Sequence, residues 1–277
     1  MQKKKINDII ITPVVTSTLK SDQILGYEYF STLYTNIYIC AKRKSGKSTL
    51  IYNILKNCTG KKTNVILFVS TIHRDDTYQK MFEMLEKKKI NVMAHSHFIE
   101  GKENLLQNIL NELDSQLELE KQTKAQKKSS DPSVVGCNFD ETITTEKPIR
   151  KPQKLAPEYI FVFDDLGADL RDPSITQLVK VSRHYKCKVI FSSQYLHDLN
   201  VSAVKNIDVA IIFKSFDEVK LLKLYEGLDV SCSFPAFVNM YRIATKEPFN
   251  FFYVDTRDGE YRHNFDERFV ITDNDID

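Results

Sequence analysis

The chain has 277 residues, enough for one α/β core with added elements or for two small domains, and one core is the simpler interpretation. Its 39 Lys and Arg residues nearly balance 37 Asp and Glu residues, so a net charge of +2 neither indicates nor excludes a nucleic-acid partner. A DNA-binding surface would need locally gathered charge, or charge gathered in a ring of subunits.

Residues 1–33 are interpreted as an N-terminal segment. Met1 to Lys5 is basic, but the apolar run after it is interrupted by polar residues and is too short for a signal sequence or a membrane span. The cysteines are odd in number, far apart and without zinc spacing, as expected of reduced thiols. They are Cys40, Cys58, Cys137, Cys187 and Cys232. We therefore expect a soluble intracellular protein with no membrane partner.

Short β-branched and aromatic runs alternate with helical patterns, which is typical of a parallel sheet flanked by helices. The predicted fold class is therefore α/β. Strands are predicted at residues 36–41, 64–70, 91–94, 159–164, 188–192, 209–214 and 249–255. Helices are predicted at residues 50–56, 77–88 and 103–122, and the apolar spacing of the last two predicts that one face of each packs on the sheet.

The first predicted strand runs into a phosphate-binding pattern. The loop consists of Ala41, Lys42, Arg43, Lys44, Ser45, Gly46, Lys47, Ser48 and Thr49. Backbone N–H groups of such a loop, with the N-terminus of the next helix, surround nucleotide phosphates, while Lys47 reaches the β and γ oxygens and Ser48 ligates Mg²⁺. Ala41 replaces the usual first glycine, so the three basic side chains after it must point away from the phosphates. The alternative is an ordinary basic turn before a helix.

A second motif ends the strand at residues 159–164. Asp164 is predicted to hold Mg²⁺ through its water shell, and Asp165 to orient or deprotonate the water that attacks the γ-phosphate. The alternative is a surface turn in which Asp165 caps a helix.

The strand at residues 188–192 ends in Ser-Ser-Gln, which places the Gln194 amide at the carboxyl edge, where ligands of parallel sheets bind. Gln194 is predicted to sense the γ-phosphate or to place water. A polar residue that merely closes the strand is the alternative.

Residues 123–157 are rich in Lys, Ser, Thr and Pro, and they carry too few apolar residues to bury enough surface. We predict a flexible insertion there, within an ATPase domain that spans residues 34–277. The basic residues Lys124, Lys127 and Lys128 are interpreted as solvated rather than as a DNA site.

These three motifs, in this order, resemble the additional-strand class of P-loop ATPases. The Arg183-His184 pair before one strand and Asn206-Ile207-Asp208 before the next make the match closer. They resemble the FtsK–HerA superfamily, specifically the poxvirus-type genome-packaging ATPases of large DNA viruses, virophages and Polinton-like elements. The resemblance covers residues 34–255 without the insertion. Ala41 departs from the usual glycine, and Asp165 stands where many relatives carry glutamate.

The resemblance implies a P-loop NTPase core with a mostly parallel central sheet, and ATP and Mg²⁺ as cofactors. It implies a homo-oligomeric ring motor that pumps double-stranded viral DNA into a capsid, with a capsid or portal surface as partner. The location would be the host cytoplasm, a viral factory or the virion. Such motors complete each site with an arginine from a neighbouring subunit. Arg183 is our candidate, Arg171 and Arg74 are weaker ones, and a solvated or helix-capping arginine is the alternative.

Three other functions stay open. Lys42 falls where deviant partitioning or switch ATPases carry an extra lysine, although the glycines that follow it there are missing here. A helicase of the same class should carry further nucleic-acid motifs after Gln194, which we do not find. A non-catalytic, capsid-associated nucleotide-binding protein is suggested only by Ala41.

The remaining polar aromatic residues carry weaker signals. His95, His97 and His184 have no partner cluster that argues for metal or acid–base chemistry, so they are interpreted as structural or exposed. Tyr195 and His197 follow Gln194 on a loop that can face the pore of a ring.

Overall fold

A computed structural model describes residues 19–72, 74–101, 103–129, 154–214 and 217–271. The strands of these residues are β1 (Asn36–Cys40), β2 (Asn64–Val69), β3 (Asn91–His95), β4 (Ile99–Glu100), β5 (Glu103–Asn104), β6 (Tyr159–Asp164), β7 (Cys187–Ser193), β8 (Val209–Phe213), β9 (Phe251–Asp255), β10 (Glu260–His263) and β11 (Glu267–Arg268). The helices are α1 (Lys47–Cys58), α2 (Asp76–Lys87), α3 (Leu105–Ser129), α4 (Pro173–Val181), α5 (Val201–Val204), α6 (Glu218–Gly227) and α7 (Phe234–Ala244).

Nine of these strands form one sheet in the order β11-β10-β9-β8-β1-β7-β6-β2-β3. The six strands from β8 to β3 are parallel, whereas β9, β10 and β11 extend the sheet by antiparallel pairing. All seven predicted strands are present, and the predicted mostly parallel sheet is confirmed. Because β7 lies between β1 and β6, the three strands that carry the motifs are neighbours, and their carboxyl ends meet at one edge.

Both faces of the sheet are covered by helices, which explains why most residues of the central strands are apolar. In β1, Tyr38 and Cys40 pack on one side with residues of α3, α4, α6 and α7, while Ile37 and Ile39 pack on the other side with α1 and α2. This alternation follows from the two-residue period of a strand. No helix in the described part of the chain has the length and apolar character needed to cross a membrane.

The structure differs from the prediction at both ends of the proposed insertion. Helix α3 continues to Ser129, past the predicted end at residue 122, because residues 123–129 are mostly good helix formers. After the gap, Leu155 pairs with Ile24, and the carbonyl oxygen of Pro157 accepts a 2.8 Å hydrogen bond from Thr63. Residues 130–153, with Cys137, lie outside the described residues, so the flexible insertion stays a prediction there.

Residues 19–33 of the predicted N-terminal segment pack against the sheet core. The Phe30 side chain is 1% exposed, and its ring lies 6.0 Å from the ring of Phe265. The thiols of Cys40, Cys58 and Cys187 are buried and outside any disulfide, and burial raises the pKa of Cys40 to about 12. These cysteines therefore act as small apolar residues of the core.

The charged side chain of Lys188 is enclosed in this core. Its Nζ atom lies 4.4 Å from the centroid of the Phe30 ring and donates hydrogen bonds to Thr35 Oγ1 at 3.2 Å and to the Thr32 carbonyl oxygen at 3.4 Å. Burial lowers the pKa of Lys188 to about 8, because the surrounding apolar groups disfavour the charged form.

We expect Lys188→Met to stabilise the protein at pH 7 by up to about 3 kcal/mol, because it removes the cost of a buried ammonium group. Between pH 8 and 10.5 the folded wild type binds fewer protons than the unfolded chain, so its stability rises with pH and the advantage of the variant shrinks to nothing. Urea unfolding across this range measures the difference, with exposed Lys180→Met as control. A stability difference between Lys188→Met and the wild type that does not change with pH would contradict the lowered pKa of Lys188.

Candidate functional site

The loop between β1 and α1 forms its first turn without glycine. Ala41 is buried, keeps a negative φ and donates its backbone N–H to the Ser193 carbonyl oxygen at 3.1 Å. Positive φ angles occur instead at Lys44 (63°) and at Gly46 (100°), the N-cap residue of α1. The alanine therefore changes where the chain turns and does not remove the loop.

The basic residues of the loop divide between two clefts. Lys42 lines a different cleft, with Asp217 and Lys246. Arg43 and Lys44, by contrast, line the same cleft as Lys47.

Lys47 is the central cation of this cleft. Its Nζ atom lies 3.2 Å from Asp164 Oδ1 and also contacts Asp165 Oδ2. The other oxygen of Asp164 accepts a 2.7 Å hydrogen bond from the hydroxyl group of Tyr78. Burial raises the pKa of Asp164, although Lys47 and Tyr78 both act to lower it. The two consecutive acids thus share one lysine.

Asp165 does not cap a helix. Its φ of 54° is left-handed, a conformation that Asp tolerates better than most residues, and it turns the carboxylate back towards Lys47. The caps of the next elements are Leu166, which has no side-chain cap bond, and Asp172 at the start of α4. Asp165 therefore lacks the helix-capping role that the surface-turn alternative gave it.

Sequence reasoning missed Asp75. Its Oδ2 atom accepts a 3.1 Å hydrogen bond from the hydroxyl of Ser48, and its Oδ1 atom accepts one of 2.9 Å from the backbone N–H of Thr77, which caps α2. The only signal in the sequence was an N-cap residue before a helix, which says nothing about the distant phosphate loop. Asp75 therefore connects α2 to the residue predicted to bind Mg²⁺.

The oxygen donors of Ser48, Asp75 and Asp164 are of the kind that Mg²⁺ prefers, and Asp164 Oδ1 accepts no hydrogen bond. Within the described residues, no group of three or more His, Cys, Asp and Glu side chains is placed to hold a metal ion by itself. The residues therefore fit a Mg²⁺ ion that takes its other ligands from phosphates and water.

Gln194 directly follows β7 and lines the same cleft as Lys47 and Asp165, whose volume is about 940 Å³. The registers explain this position, since Ser193 pairs with Cys40 of β1 and Ser192 pairs with Asp164 of β6. A cleft of this volume accommodates a molecule of the size of a nucleoside triphosphate.

The sequence matches no protein-family model and no curated protein. The structure is similar to that of the genome packaging NTPase B204 from Sulfolobus turreted icosahedral virus 2 in complex with sulfate, with a TM-score of 0.50, 14% identity, and 83% of this chain and 96% of that chain covered. The chain has the P-loop NTPase fold.

Two further structures are similar. The DNA-packaging ATPase B204 from Sulfolobus turreted icosahedral virus gives a TM-score of 0.49 and 16% identity, with 82% of this chain and 95% of that chain covered. The cytoplasmic domain of the type VII secretion ATPase EccC of Thermomonospora curvata gives 0.40 and 13% identity, with 80% of this chain and 24% of that chain covered. At these identities the likeness concerns the fold alone.

Within the P-loop NTPase fold, the three candidate arginines lie in different places. Arg74 lines the same cleft as Lys47. Arg171 donates from Nε and Nη2 to the carbonyl oxygen of His197, at 3.1 and 2.8 Å. Arg183 lies at the amino edge of the parallel strands, opposite the cleft, where its Nη2 atom is 3.4 Å from Asp208. Arg183 therefore does not line the cleft of its own chain.

The histidines are placed as structural or exposed groups. His95 stacks on Phe68 with ring centroids 5.7 Å apart. The His97 side chain is 51% exposed and lies 3.7 Å from Asp169, and His184 is exposed.

Phe249 is a second residue that sequence reasoning did not assign to the site. It was predicted to begin a strand, but β9 starts at Phe251, and Phe249 has a left-handed φ of 67°. Its side chain is 70% exposed and lines the cleft, where a Cβ atom on Gly46 would come within 3.4 Å of its ring. An exposed aromatic ring therefore lies against the phosphate loop.

Proposed function

We propose that the protein hydrolyses ATP with Mg²⁺ and acts as a ring motor that packages double-stranded DNA into a viral capsid. In lineage we assign it to the poxvirus-type packaging ATPases of the FtsK–HerA superfamily. One observation carries the hydrolysis: Lys47, Ser48, Asp164, Asp165 and Gln194 converge on a single cleft at the carboxyl edge of the sheet. Together they supply the charges and the water-positioning groups of phosphoryl transfer.

In this mechanism, ATP enters a cleft in which Lys47 is already neutralised by two carboxylates. Phosphate oxygens compete for Lys47, and the N–H groups at the start of α1 bind them as well. Asp165 thereby loses its cation and becomes free to orient or deprotonate water, with Gln194 beside it. Ser48 and Asp164, supported by Asp75, would hold Mg²⁺, which neutralises phosphate charge.

Two observations weigh against the alternatives. A switch-type ATPase needs an extra lysine at the phosphates, whereas Lys42 lines a separate cleft. Loss of catalysis was suggested only by Ala41, and the loop still turns at Lys44 and Gly46. The DNA-packaging part is supported by the order of the motifs and by the packaging role that B204 carries in its name.

Asp165→Asn should still bind ATP but turn over at least about a hundredfold more slowly, because it keeps the shape and loses the charge that orients or deprotonates water. Lys47→Ala should lose nucleotide binding or turnover. Calorimetric binding and phosphate release separate the two effects. If Asp165→Asn loses ATP binding as much as turnover, Asp165 is a metal ligand. Turnover by Lys47→Ala at the wild-type rate would refute the assignment of the site.

Phe249 is proposed to stack on the adenine base, since its exposed ring flanks the phosphate loop. Phe249→Ala should weaken ATP binding roughly tenfold, the cost of one lost aromatic–base stack, and leave tripolyphosphate binding unchanged. Phe249→Tyr, which keeps a ring, is the matched control and should bind ATP like the wild type. If the Ala variant loses ATP and tripolyphosphate affinity equally, the ring supports the loop and does not contact the base.

Arg183 is proposed to complete the cleft of the neighbouring subunit in the ring. Its side chain is 65% exposed and forms an ion pair with Asp208 at 3.4 Å. Mixing Arg183→Ala subunits into the wild type should therefore lower ATPase activity more than in proportion to their fraction, because each variant subunit leaves the site of its neighbour without its arginine. Arg74→Ala subunits, altered in their own cleft, should lower it only in proportion.

A loss of activity in linear proportion to the fraction of Arg183→Ala subunits would show that Arg183 does not complete the neighbouring site, but it would leave the ring-motor proposal intact.

Duplex DNA should stimulate ATP turnover, and the stimulation should fall steeply with salt because DNA binding releases counterions. A protein that stays monomeric at all concentrations and ignores DNA would favour the switch-type alternative.

A further inference from the structure

A second cleft, of about 520 Å³, opens beside the nucleotide cleft, and Tyr195 lines both. Its walls come from the 3-10 turn Leu196–Asp198, from α5 and from α6. We call it the basic groove. Its charged residues, apart from the exposed His197, are Arg171, Lys205, Lys220, Lys223 and Glu226.

The positive charge of the basic groove is uncompensated. Among the described residues, no carboxylate forms an ion pair with Lys205, Lys220 or Lys223, and Arg171 donates to a backbone carbonyl group. Four cations thus face one carboxylate, in a chain whose total net charge is only +2. Local excess of this kind attracts an anionic partner, since the cations otherwise repel one another.

The groove is linked to both catalytic loops. Asp165 is followed after one residue by the 3-10 turn Gly167–Arg171, and Arg171 at its end holds the carbonyl oxygen of His197. His197 lies three residues after Gln194. An anion that draws Arg171 or the 195–198 turn into the groove would therefore shift the loops that carry Asp165 and Gln194.

The cations of the groove favour a phosphate backbone over bases, although apolar residues line it as well: Leu196, Leu199, Val201, Val204 and Leu224. Lys220 and Lys223 are three residues apart on α6 and so lie on the same side of that helix. Among the residues that the structure describes, Tyr195 is the only Tyr, Phe or Trp that lines the groove, and the Lys220 Nζ atom lies 5.6 Å from its ring. Binding of single strands relies on several aromatic rings that stack on successive bases, whereas duplex contacts go mainly to phosphates.

We propose that the basic groove binds backbone phosphates of duplex DNA, and that this binding repositions Asp165 and Gln194 so that DNA stimulates hydrolysis. The inference rests on the proposed packaging function and adds the surface by which DNA acts on the site. Arg171 is a positioning residue in this scheme, because it acts through the loop that it holds.

The test compares Lys220→Ala/Lys223→Ala with the control Lys61→Ala/Lys62→Ala, which removes the same charge from an exposed turn between α1 and β2. Fluorescence anisotropy with a labelled duplex is measured over a salt series. The groove variant should bind at least about tenfold more weakly, and the slope of log Kd against log salt should fall by about 2, one for each lost phosphate contact. Its ATPase activity without DNA should be unchanged, and the control should match the wild type throughout.

Arg171→Gln tests the link to catalysis. This variant should bind DNA with nearly the wild-type affinity, but its ATPase activity should be stimulated less than that of the wild type even at saturating DNA. Full stimulation at saturating DNA would overturn the link between the groove and the loops of Asp165 and Gln194.

The failures are distinguishable. If DNA stimulates the groove variant as it does the wild type, or if the control loses as much affinity, the groove is refuted and the packaging function stands. If the wild type hydrolyses ATP but binds no duplex, the packaging function falls and the groove with it. Loss of polyglutamate binding with duplex binding intact would assign the groove to an acidic protein surface and overturn the proposal.

Discussion

The ion cluster of Lys47 with Asp164 and Asp165 is the interaction on which the site depends. Lys47 and Asp164 are 7% and 1% exposed, so neither charge is well solvated and each is stabilised mainly by its partner. Removing one partner leaves a buried charge. Without a ligand, the two carboxylates therefore hold Lys47 in a cluster whose formal charge is −1. In the proposed function, nucleotide binding would exchange these anionic partners of Lys47 for phosphate oxygens.

The order of the sheet makes this cluster possible. Lys47 lies just after β1, and the two acids lie at and just after the end of β6, two strands away. Because β7 fills the place between them, Gln194 emerges between the lysine and the acids. The helices on both faces allow most positions of the three strands to be apolar, and the acidic and amide side chains of the site lie where the strands end.

The apolar character of the central strands also explains which parts of the fold and of the site can be predicted from the sequence. Buried parallel strands are continuous apolar runs with a polar residue at the end, so both the strands and the ends that carry Asp164 and Gln194 are predictable. The hairpin of β10 was missed because Glu260, Arg262 and His263 make it look polar, although Asp258-Gly259 is a turn signal. Asp75 was unpredictable in its role, since its contact with Ser48 spans 27 positions and follows no motif. The position of Phe249 depends on a left-handed backbone angle that composition does not show.

The link through Arg171 has a thermodynamic consequence. Coupling between two binding sites is reciprocal: each ligand changes the affinity for the other by the same factor. Suppose that DNA in the basic groove favours one arrangement of the loops after Asp165 and Gln194. A nucleotide that favours the same arrangement then raises the affinity for DNA by the factor by which DNA raises the affinity for that nucleotide. The bond from Arg171 to the His197 carbonyl oxygen joins the two loops directly, without a long chain of intermediates. In the proposed mechanism, ATP binding draws Lys47 away from Asp165 and hydrolysis restores that pair, so the two steps would alternate the affinity for DNA. A DNA-translocating motor needs this alternation of affinity, because it must bind DNA in one step of its cycle and release it in the next.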